Sequence, residues 1–256
     1  MRSRVGSTTA HRVTETLRTG RAAAPRVLGM GYWDFLAAHP DQQALFDRAM
    51  AQRAGALSLA SVPLLDWPAT ATIADIAGGT GTLMEAVLEA APGARGILVE
   101  RPQVLEHARP FLERQGVADR CGLHPGDLFA PPPAADLYLL ASVLHDWDDT
   151  HAARILVALG DSATRDTRLW IFEMLSPTDA TPHRAKLSDV LMLLMSDGAR
   201  ERTLDQYQDL LESTGWRLQR VLASPGPMSV IQASRAATRQ QLSSTSLAAG
   251  GEWPSP

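Results

Sequence analysis

A histidine and three aspartates occur within six residues, in the segment LHDWDD at residues 144–149. The segment follows a predicted strand and precedes a predicted helix, and ligands of open α/β sheets bind at this edge. The imidazole of His145, with an ordinary pKa of about 6.5, can accept a proton from a hydroxyl at neutral pH. A single histidine is more often structural, so the functional interpretation depends on its surroundings. We therefore treat His145 as a candidate general base.

A glycine-rich loop follows another short apolar run, in the segment DIAGGTG at residues 75–81. Glycines let the backbone turn sharply and approach a ligand closely, because no Cβ intervenes. A dinucleotide fingerprint that starts at Gly79 would require a glycine at position 84, where this chain has Met84. The loop therefore indicates a nucleotide-like ligand and weakens an NAD interpretation.

Two acids after the next two strands extend this ligand site. Glu100 ends the second strand, and its carboxylate can accept hydrogen bonds from both hydroxyls of an adenosine ribose. Asp127 can accept a hydrogen bond from the adenine amino group, while Leu128 packs on the ring. Taken singly, each acid could shape a turn or cap a helix. In this order along the chain, the loop and the two acids predict an adenosine site that requires no pyrophosphate.

Length and charge limit the classes of protein to be considered. The 256 residues are 45% hydrophobic and 20% charged, which is enough for one α/β core. The formal net charge of -4 argues against nucleic acid and anionic membranes as partners, so we expect a small-molecule ligand. The single cysteine, Cys121, excludes an internal disulfide framework and suits the cytoplasm. The sequence contains no apolar run long enough to span a membrane.

Short apolar runs alternate with helical stretches from residue 72 onward, which predicts a Rossmann-like, doubly wound α/β sheet. A short helical segment precedes it, with helical spacing of apolar residues from Tyr32 to Leu65. Helices are expected at 81–91, 103–115, 150–159, 186–194 and 204–213. Strands are expected at 72–77, 96–100, 135–141 and 169–174, followed by an antiparallel C-terminal hairpin of strands at 216–222 and 228–233.

Together these motifs resemble the class I S-adenosylmethionine-dependent O-methyltransferases of the plant caffeate type and the actinobacterial polyketide type. The resemblance spans roughly residues 20–234, and LHDWDD is its most diagnostic part. The other matching segments are YWDF (32–35), DIAGGTG (75–81), LVERP (98–102), DR (119–120), GDLF (126–129), IFEMLSP (171–177) and GARERT (198–203).

The resemblance implies roles for the site residues. It makes His145 the catalytic base, with Glu173 and Glu201 as the acids that flank and orient its ring, and it makes S-adenosylmethionine the cofactor. We expect the cofactor to contact Ala77, Gly78, Gly79, Gly81, Glu100, Arg101, Asp127, Leu128, Ser142 and Trp147. Trp33, Met192 and Met195 are candidates for the pocket that binds the acceptor. Packing in the protein core is an equally good explanation for these three residues.

Some positions do not follow the family pattern or have a simpler explanation. Ala77 stands where the family commonly has glycine, and Ala141–Ser142 stand where a Lys or Arg often holds the cofactor, so the affinity for S-adenosylmethionine is left open at these positions. Asp148 and Asp149 are expected to lie at a solvated helix N-terminus rather than at a metal. We predict no metal site.

The resemblance also divides the chain into four segments. Residues 1–30 are expected to be a flexible basic tail, and residues 31–68 a helical remnant of a dimerisation or lid region. Residues 69–234 form the expected S-adenosylmethionine-binding domain, and residues 235–256 a disordered tail. Since family members usually carry a further N-terminal dimerisation domain, we expect a homodimer or a partner protein that supplies the missing surface.

The function that these expectations favour is methylation of a hydroxyl of a small aromatic or polyketide-type metabolite. Two alternatives stay open: a non-methylating or N-methylating enzyme on the same scaffold, and a non-catalytic accessory subunit of a partner protein. An NAD-dependent dehydrogenase is the least supported.

Overall fold

A computed structural model describes residues 12–236, without the side chains of residue 51 and residues 53–57. Its described residues form one sheet with strands β1 (Thr72–Ile76), β2 (Arg95–Glu100), β3 (Cys121–Pro125), β4 (Leu137–Ala141), β5 (Arg168–Glu173), β6 (Trp216–Ala223) and β7 (Ser229–Arg235). The strand order is β3-β2-β1-β4-β5-β7-β6. Strands β1 to β5 are parallel, and β7 pairs antiparallel with both β5 and β6.

The described helices lie before, between and after these strands. Three short 3-10 helices span Leu59–Leu64, Ala118–Arg120 and Leu144–Asp146. The α-helices are α1 (Val13–Thr19), α2 (Ala24–Leu28), α3 (Tyr32–Ala38), α4 (Pro40–Leu57), α5 (Thr82–Ala90), α6 (Pro102–Arg114), α7 (Asp149–Ser162), α8 (Arg184–Met195) and α9 (Leu204–Ser213). None of these described helices has the length and apolar character that a membrane crossing requires.

The central strands are largely apolar because helices cover both faces of the sheet. In β4, Leu137 and Leu139 point into one core cluster with α5 and α6. Tyr138 and Leu140 point into a second cluster with α7 and α9. Successive side chains of a strand alternate between faces, so a strand buried on both faces reads as a continuous apolar run. The predicted Rossmann-like sheet with an antiparallel C-terminal hairpin is thereby confirmed.

No residue range was predicted for strand β3, although the position given to Asp127 implies a strand before it. It lies at the edge of the sheet, pairs only with β2 among the described strands, and is largely exposed. Its sequence, CGLHP, contains a glycine and a proline and has no apolar alternation. An edge strand requires little apolar surface, so the pattern that predicts buried strands is missing here.

The expectation of a flexible tail over residues 1–30 is wrong for residues 12–30, which form α1 and α2. Thr16 and the three alanines 22–24 are buried, and α1 and α2 pack on α8. The backbone N–H of Ala23 donates to the carbonyl of Leu194 at 3.1 Å. The small alanine side chains permit this close approach, whereas Arg12 and Arg18 are exposed. The rest of that expectation and the expected tail after residue 236 fall outside the described residues.

Two residues with a Cβ have positive φ at the ends of neighbouring strands. Ala77 follows β1 with φ 55°, and Ser142 follows β4 with φ 56°. Each donates its N–H to a neighbouring strand, Ala77 to Val99 at 2.8 Å and Ser142 to Phe172 at 2.9 Å. The left-handed region costs residues with a Cβ about 1 to 2 kcal/mol. The chain therefore turns sharply at both strand ends against a local energetic cost, which the surrounding sheet offsets.

Candidate active site

The expected site residues other than Gly81, Glu173 and Glu201 line a cavity of about 880 Å³ at the C-terminal ends of β1, β2 and β4. Strand order reverses between β1 and β4, and open α/β sheets bind ligands at such a switch point. One part of the wall consists of the glycine loop with Glu100, Arg101, Asp127 and Leu128. The opposite part comes from α3, α4 and α8, with Tyr32, Trp33, Phe46, Met192 and Met195.

The glycine loop packs directly on buried side chains. A Cβ at Gly78 would lie 2.4 Å from Cγ of Asp75 and 2.6 Å from Leu98, so only glycine fits there. A Cβ at Gly79 would meet nothing within 4 Å, but the residue has φ 59°, which favours glycine. The loop therefore lies close to the strand beneath it and presents its backbone to the cavity.

Gly81 does not line the cavity, and its contact with the cofactor stays a prediction. It precedes α5 with φ 86°. An added Cβ would lie 3.1 Å from Leu112 and 3.3 Å from Leu98. The backbone conformation and the packing between α5, α6 and β2 thus each require glycine here. The motif alone does not distinguish these structural reasons from a cofactor contact.

Glu100 lies where a ribose acid is expected. Its Oε1 accepts a hydrogen bond from the N–H of Arg101 at 2.8 Å, and its Oε2 accepts one from the N–H of Gly79 at 3.3 Å. A carboxylate can accept about four hydrogen bonds, so acceptor capacity is left for a diol. Burial raises the pKa of Glu100, and the two N–H donors oppose that rise. Asp127 also lines the cavity, and its Oδ1 accepts from the N–H of Phe129 at 2.9 Å.

Asp75 lies under the loop, at the start of the segment DIAGGTG. It is completely buried, and neither carboxylate oxygen has a hydrogen-bond partner among the described residues. Burial, together with the smaller effect of the charge of Glu100, raises the pKa of Asp75 to about 7. A buried carboxyl without a partner is costly to ionise, so Asp75 favours its neutral form.

His145 is buried and held by Glu173. Its Nδ1 lies 2.6 Å from Oε2 of Glu173. The other oxygen, Oε1, accepts from the backbone N–H groups of Val143 at 3.1 Å and Leu144 at 2.9 Å. An ionised carboxylate only accepts, so the Nδ1 of the ring carries the proton and donates it. The same glutamate thus fixes both the ring and the turn that carries it.

The acids around the ring are arranged differently from the expectation. Glu173 and Glu201 do not flank it, because both approach Nδ1, with Oε1 of Glu201 at 3.8 Å. On the other side, Oδ1 of Asp146 lies 3.6 Å from Nε2. Burial alone would lower the pKa of His145, but Glu173, Asp146 and Glu201 outweigh it and raise the pKa to about 10. The three acids therefore stabilise an imidazolium.

These three residues also bring one possible ligand atom each within 4.8 Å of one another, for His145, Glu173 and Glu201. The Nδ1 of His145 and Glu173 already share a hydrogen bond, and Glu173 accepts two further N–H groups. These hydrogen bonds are those expected when Nδ1 of His145 carries a proton rather than binds a metal. The absence of a metal site stays a prediction.

Arg202, which was not singled out from the sequence, holds the LHDWDD segment in place. Its guanidinium is completely buried and donates to the carbonyls of Leu144 at 2.6 Å and Trp147 at 2.8 Å. It also donates twice to Oδ1 of Asp149, from Nε at 3.0 Å and from Nη2 at 2.9 Å. In the sequence, its position next to Glu201 in the segment GARERT is the one feature that could have pointed to a role for Arg202 in the site.

The two expected helix-terminal acids have specific partners. Asp148 is the N-cap of α7, and its Oδ1 accepts from the N–H of His151 at 2.8 Å. Asp149 pairs with Arg202 and with Arg200. The N-terminal position is therefore correct, but Asp149 serves mainly as the counter-charge of a buried arginine.

Aromatic rings form the wall opposite the loop. Trp33 stacks on Trp147, with ring centroids 6.3 Å apart and an interplanar angle of 19°. The edges of Tyr32 and Phe46 each pack 5.5 Å from Trp33. Trp147 also meets Phe129 edge to face at 4.8 Å. Such a wall suits a planar, apolar ligand. That Trp147 contacts the adenine stays a prediction.

The comparisons agree on one family. Residues 11–217 match the family model of the O-methyltransferase domain. Mitomycin biosynthesis 6-O-methyltransferase of Streptomyces lavendulae is 40% identical, over 88% of this chain and 64% of that protein. Phenazine O-methyltransferase PhzM of Lysobacter antibioticus is 36% identical, over 86% of this chain and 65% of that protein. The chain thus spans slightly less than two thirds of these relatives.

A solved structure shows the same fold with ligands. The O-methyltransferase NcsB1 from neocarzinostatin biosynthesis, in complex with S-adenosylmethionine and 2-hydroxy-5-methyl naphthoic acid, is 26% identical and has a TM-score of 0.82. The similarity covers 90% of this chain and 69% of that one.

Asp75→Asn is expected to weaken the pH dependence of stability. The carboxyl ionises near its ordinary value of 3.8 in the unfolded chain but near 7 in the folded one. Ionisation therefore favours unfolding as pH rises from 3.8 to 7, and the full penalty applies above 7. Over that interval the wild type should lose on the order of 2 to 4 kcal/mol more than the variant.

Chemical denaturation at several pH values measures this difference. Asp166→Asn, which removes an exposed carboxyl before β5, is the matched control and should behave like the wild type. Parallel stability curves for wild type and Asp75→Asn would show that Asp75 has an ordinary pKa.

Proposed function

This chain belongs to the O-methyltransferase domain family, and we propose that it transfers the methyl group of S-adenosylmethionine to a hydroxyl oxygen of a small aromatic or polyketide-type metabolite. One observation carries the proposal. The imidazole of His145, held at 2.6 Å by Glu173, opens onto the same cavity as the glycine loop and Glu100. An acceptor bound in this cavity can therefore contact the imidazole of His145 and the cofactor at the same time.

The residues of the loop side fit the cofactor. Gly78 and Gly79 keep side chains out of the space above β1, and Glu100 retains acceptor capacity for a ribose diol. When bound, S-adenosylmethionine supplies a methyl group activated by its sulfonium. The carboxylates of Glu100 and Asp127 give this side of the cavity a negative potential, which favours a cationic ligand. Ala141 and Ser142 line the cavity and offer no basic side chain there.

His145 acts as the base through Nε2. Its Nδ1 is engaged by Glu173, so Nε2 is the atom that can receive the proton of the acceptor hydroxyl. The three acids stabilise the imidazolium that forms, which lowers the cost of the proton transfer. The same acids hold a proton on the free ring at neutral pH, so the active, neutral ring becomes more abundant as pH rises.

The remaining contribution is position. Methyl transfer requires the acceptor oxygen in line with the methyl group, and fixing that geometry supplies much of the rate. Trp33, Phe46 and Met192 line the cavity and can confine a planar ring between α3, α4 and α8. Their apolar surface also excludes water from the reacting atoms.

Glu173→Gln tests the role of the base. The variant loses the charge that holds Nδ1 and stabilises the imidazolium, so kcat for hydroxylated naphthalenes and anthraquinones should fall at least about 100-fold. Loss of the carboxylate also lowers the pKa of His145, so the rise of rate with pH should move to lower pH. The pH–rate profile measures both effects.

The controls separate chemistry from binding. Glu113→Gln, an exposed change at the end of α6, should leave rate and profile unchanged. Calorimetric titration should show S-adenosylmethionine bound by both variants, and no binding of NAD. An unshifted profile in Glu173→Gln would remove His145 from the base role, and binding of NAD alone would contradict the cofactor.

A partner is also proposed, as a homodimer or a complex with another protein. Large apolar side chains are exposed on α1 and α8, which contact each other, with Leu17 59%, Leu187 69% and Leu191 48% exposed. Leu191 also lines the cavity, so a partner on this surface would cover its mouth. Contacts with a partner were expected from the segment 31–68. Among the described side chains of that segment, Leu64 is the large apolar one that is exposed.

Sedimentation velocity measures the oligomeric state. We expect a dimer or, with a partner, a larger complex, and Leu187→Glu should dissociate it. A monodisperse monomer that is fully active would contradict the proposal. A cytoplasmic location, which the buried thiol of Cys121 suits, stays a prediction.

A further inference from the structure

The acceptor end of the cavity has an excess of negative charge. The reacting proton must reach Nε2 of His145, and Oδ1 of Asp146 lies 3.6 Å from that atom. Behind the ring lie the carboxylates of Glu173 and Glu201, at 2.6 and 3.8 Å from Nδ1. Even with a protonated ring, three carboxylates face one cation. A ligand bound here therefore experiences a negative potential.

The basic groups that could balance it are already engaged. Among the described side chains that line the cavity, the basic ones are Arg101 and His145. Arg101 donates to Oε1 of Gln43 at 3.0 Å and lies 3.6 Å from Glu100, on the cofactor side. Arg200 and Arg202 do not line the cavity and pair with Asp149. No described guanidinium or ammonium therefore faces the acceptor.

Much of the rest of the acceptor wall is aromatic and apolar. Tyr32, Trp33 and Phe46 form a cluster of edge contacts, and Met192 and Met195 also line the cavity. The Tyr32 hydroxyl stays neutral, because burial and the charge of Asp146 raise its pKa to about 12. Such a wall can stack on a ring but cannot solvate an anion.

We infer that this site accepts neutral or cationic aromatic hydroxyl compounds and rejects those that carry a carboxylate, and that Asp146 determines this selection. A carboxylate on the acceptor ring would lose its hydration, find no free cation among the described residues that line the cavity, and lie close to Asp146. A neutral ring has no such cost, and a ring nitrogen cation would be attracted. The inference rests on the proposed function, because it assumes that the acceptor hydroxyl meets His145.

Matched pairs of compounds test the inference by calorimetry. The protein, saturated with S-adenosylhomocysteine so that no sulfonium charge is present, is titrated with 2-naphthol, 3-hydroxy-2-naphthoate and 6-hydroxy-2-methylisoquinolinium, and with hydroxyanthraquinones with and without a carboxylate. We expect the neutral and cationic compounds to bind at least about tenfold tighter than the carboxylated ones. In Asp146→Asn this ratio should shrink to about threefold or less.

Asp166→Asn is the matched control, since it removes one carboxylate outside the cavity and should leave the ratio unchanged. Equal or tighter binding of the carboxylated member would overturn the inference, as would an unchanged ratio in Asp146→Asn or binding of no neutral or cationic compound. Methyl transfer is then measured separately with S-adenosylmethionine. Charge selection without transfer contradicts only the proposed function, and transfer to the carboxylated member at equal efficiency contradicts only this inference.

Discussion

The hydrogen bond between His145 and Glu173 is the interaction on which the site depends. Glu173 ends β5, and its second oxygen accepts the N–H groups of Val143 and Leu144, which follow β4. One buried carboxylate therefore joins two neighbouring strands, fixes the turn between β4 and α7, and orients the imidazole. Burial makes the bond strong and also makes it obligatory, because an unpaired charge at this depth would be costly.

A second buried charge supports the same turn from the other side. Arg202 donates to the carbonyls of Leu144 and Trp147 and pairs with Asp149 at the start of α7. The neighbouring N–H of Arg200 donates to the carbonyl of His145 at 2.9 Å. Residues far apart in sequence thus enclose the histidine. The ring is rigidly held on its Nδ1 side and faces the cavity and Asp146 on its Nε2 side.

Much of this organisation is predictable from the sequence, because some constraints are local. The apolar run of β4, the glycine loop and the LHDWDD segment each predict the element or turn that the structure contains. Contacts that depend on distant residues are not predictable in this way. Examples are the isolation of Asp75 beneath the loop, the pairing of Arg202 with Asp149, and the packing of α1 on α8, since no short-range pattern encodes them.

NMR titration of ¹⁵N-labelled histidine tests the central claim most directly, because it reports the protonation of His145 itself. The account predicts that both ring nitrogens stay protonated at neutral pH and that the ring titrates near pH 10. In Glu173→Gln the titration should move to clearly lower pH. A His145 resonance that titrates at about 6.5 in the wild type, as in a free histidine, would contradict the account.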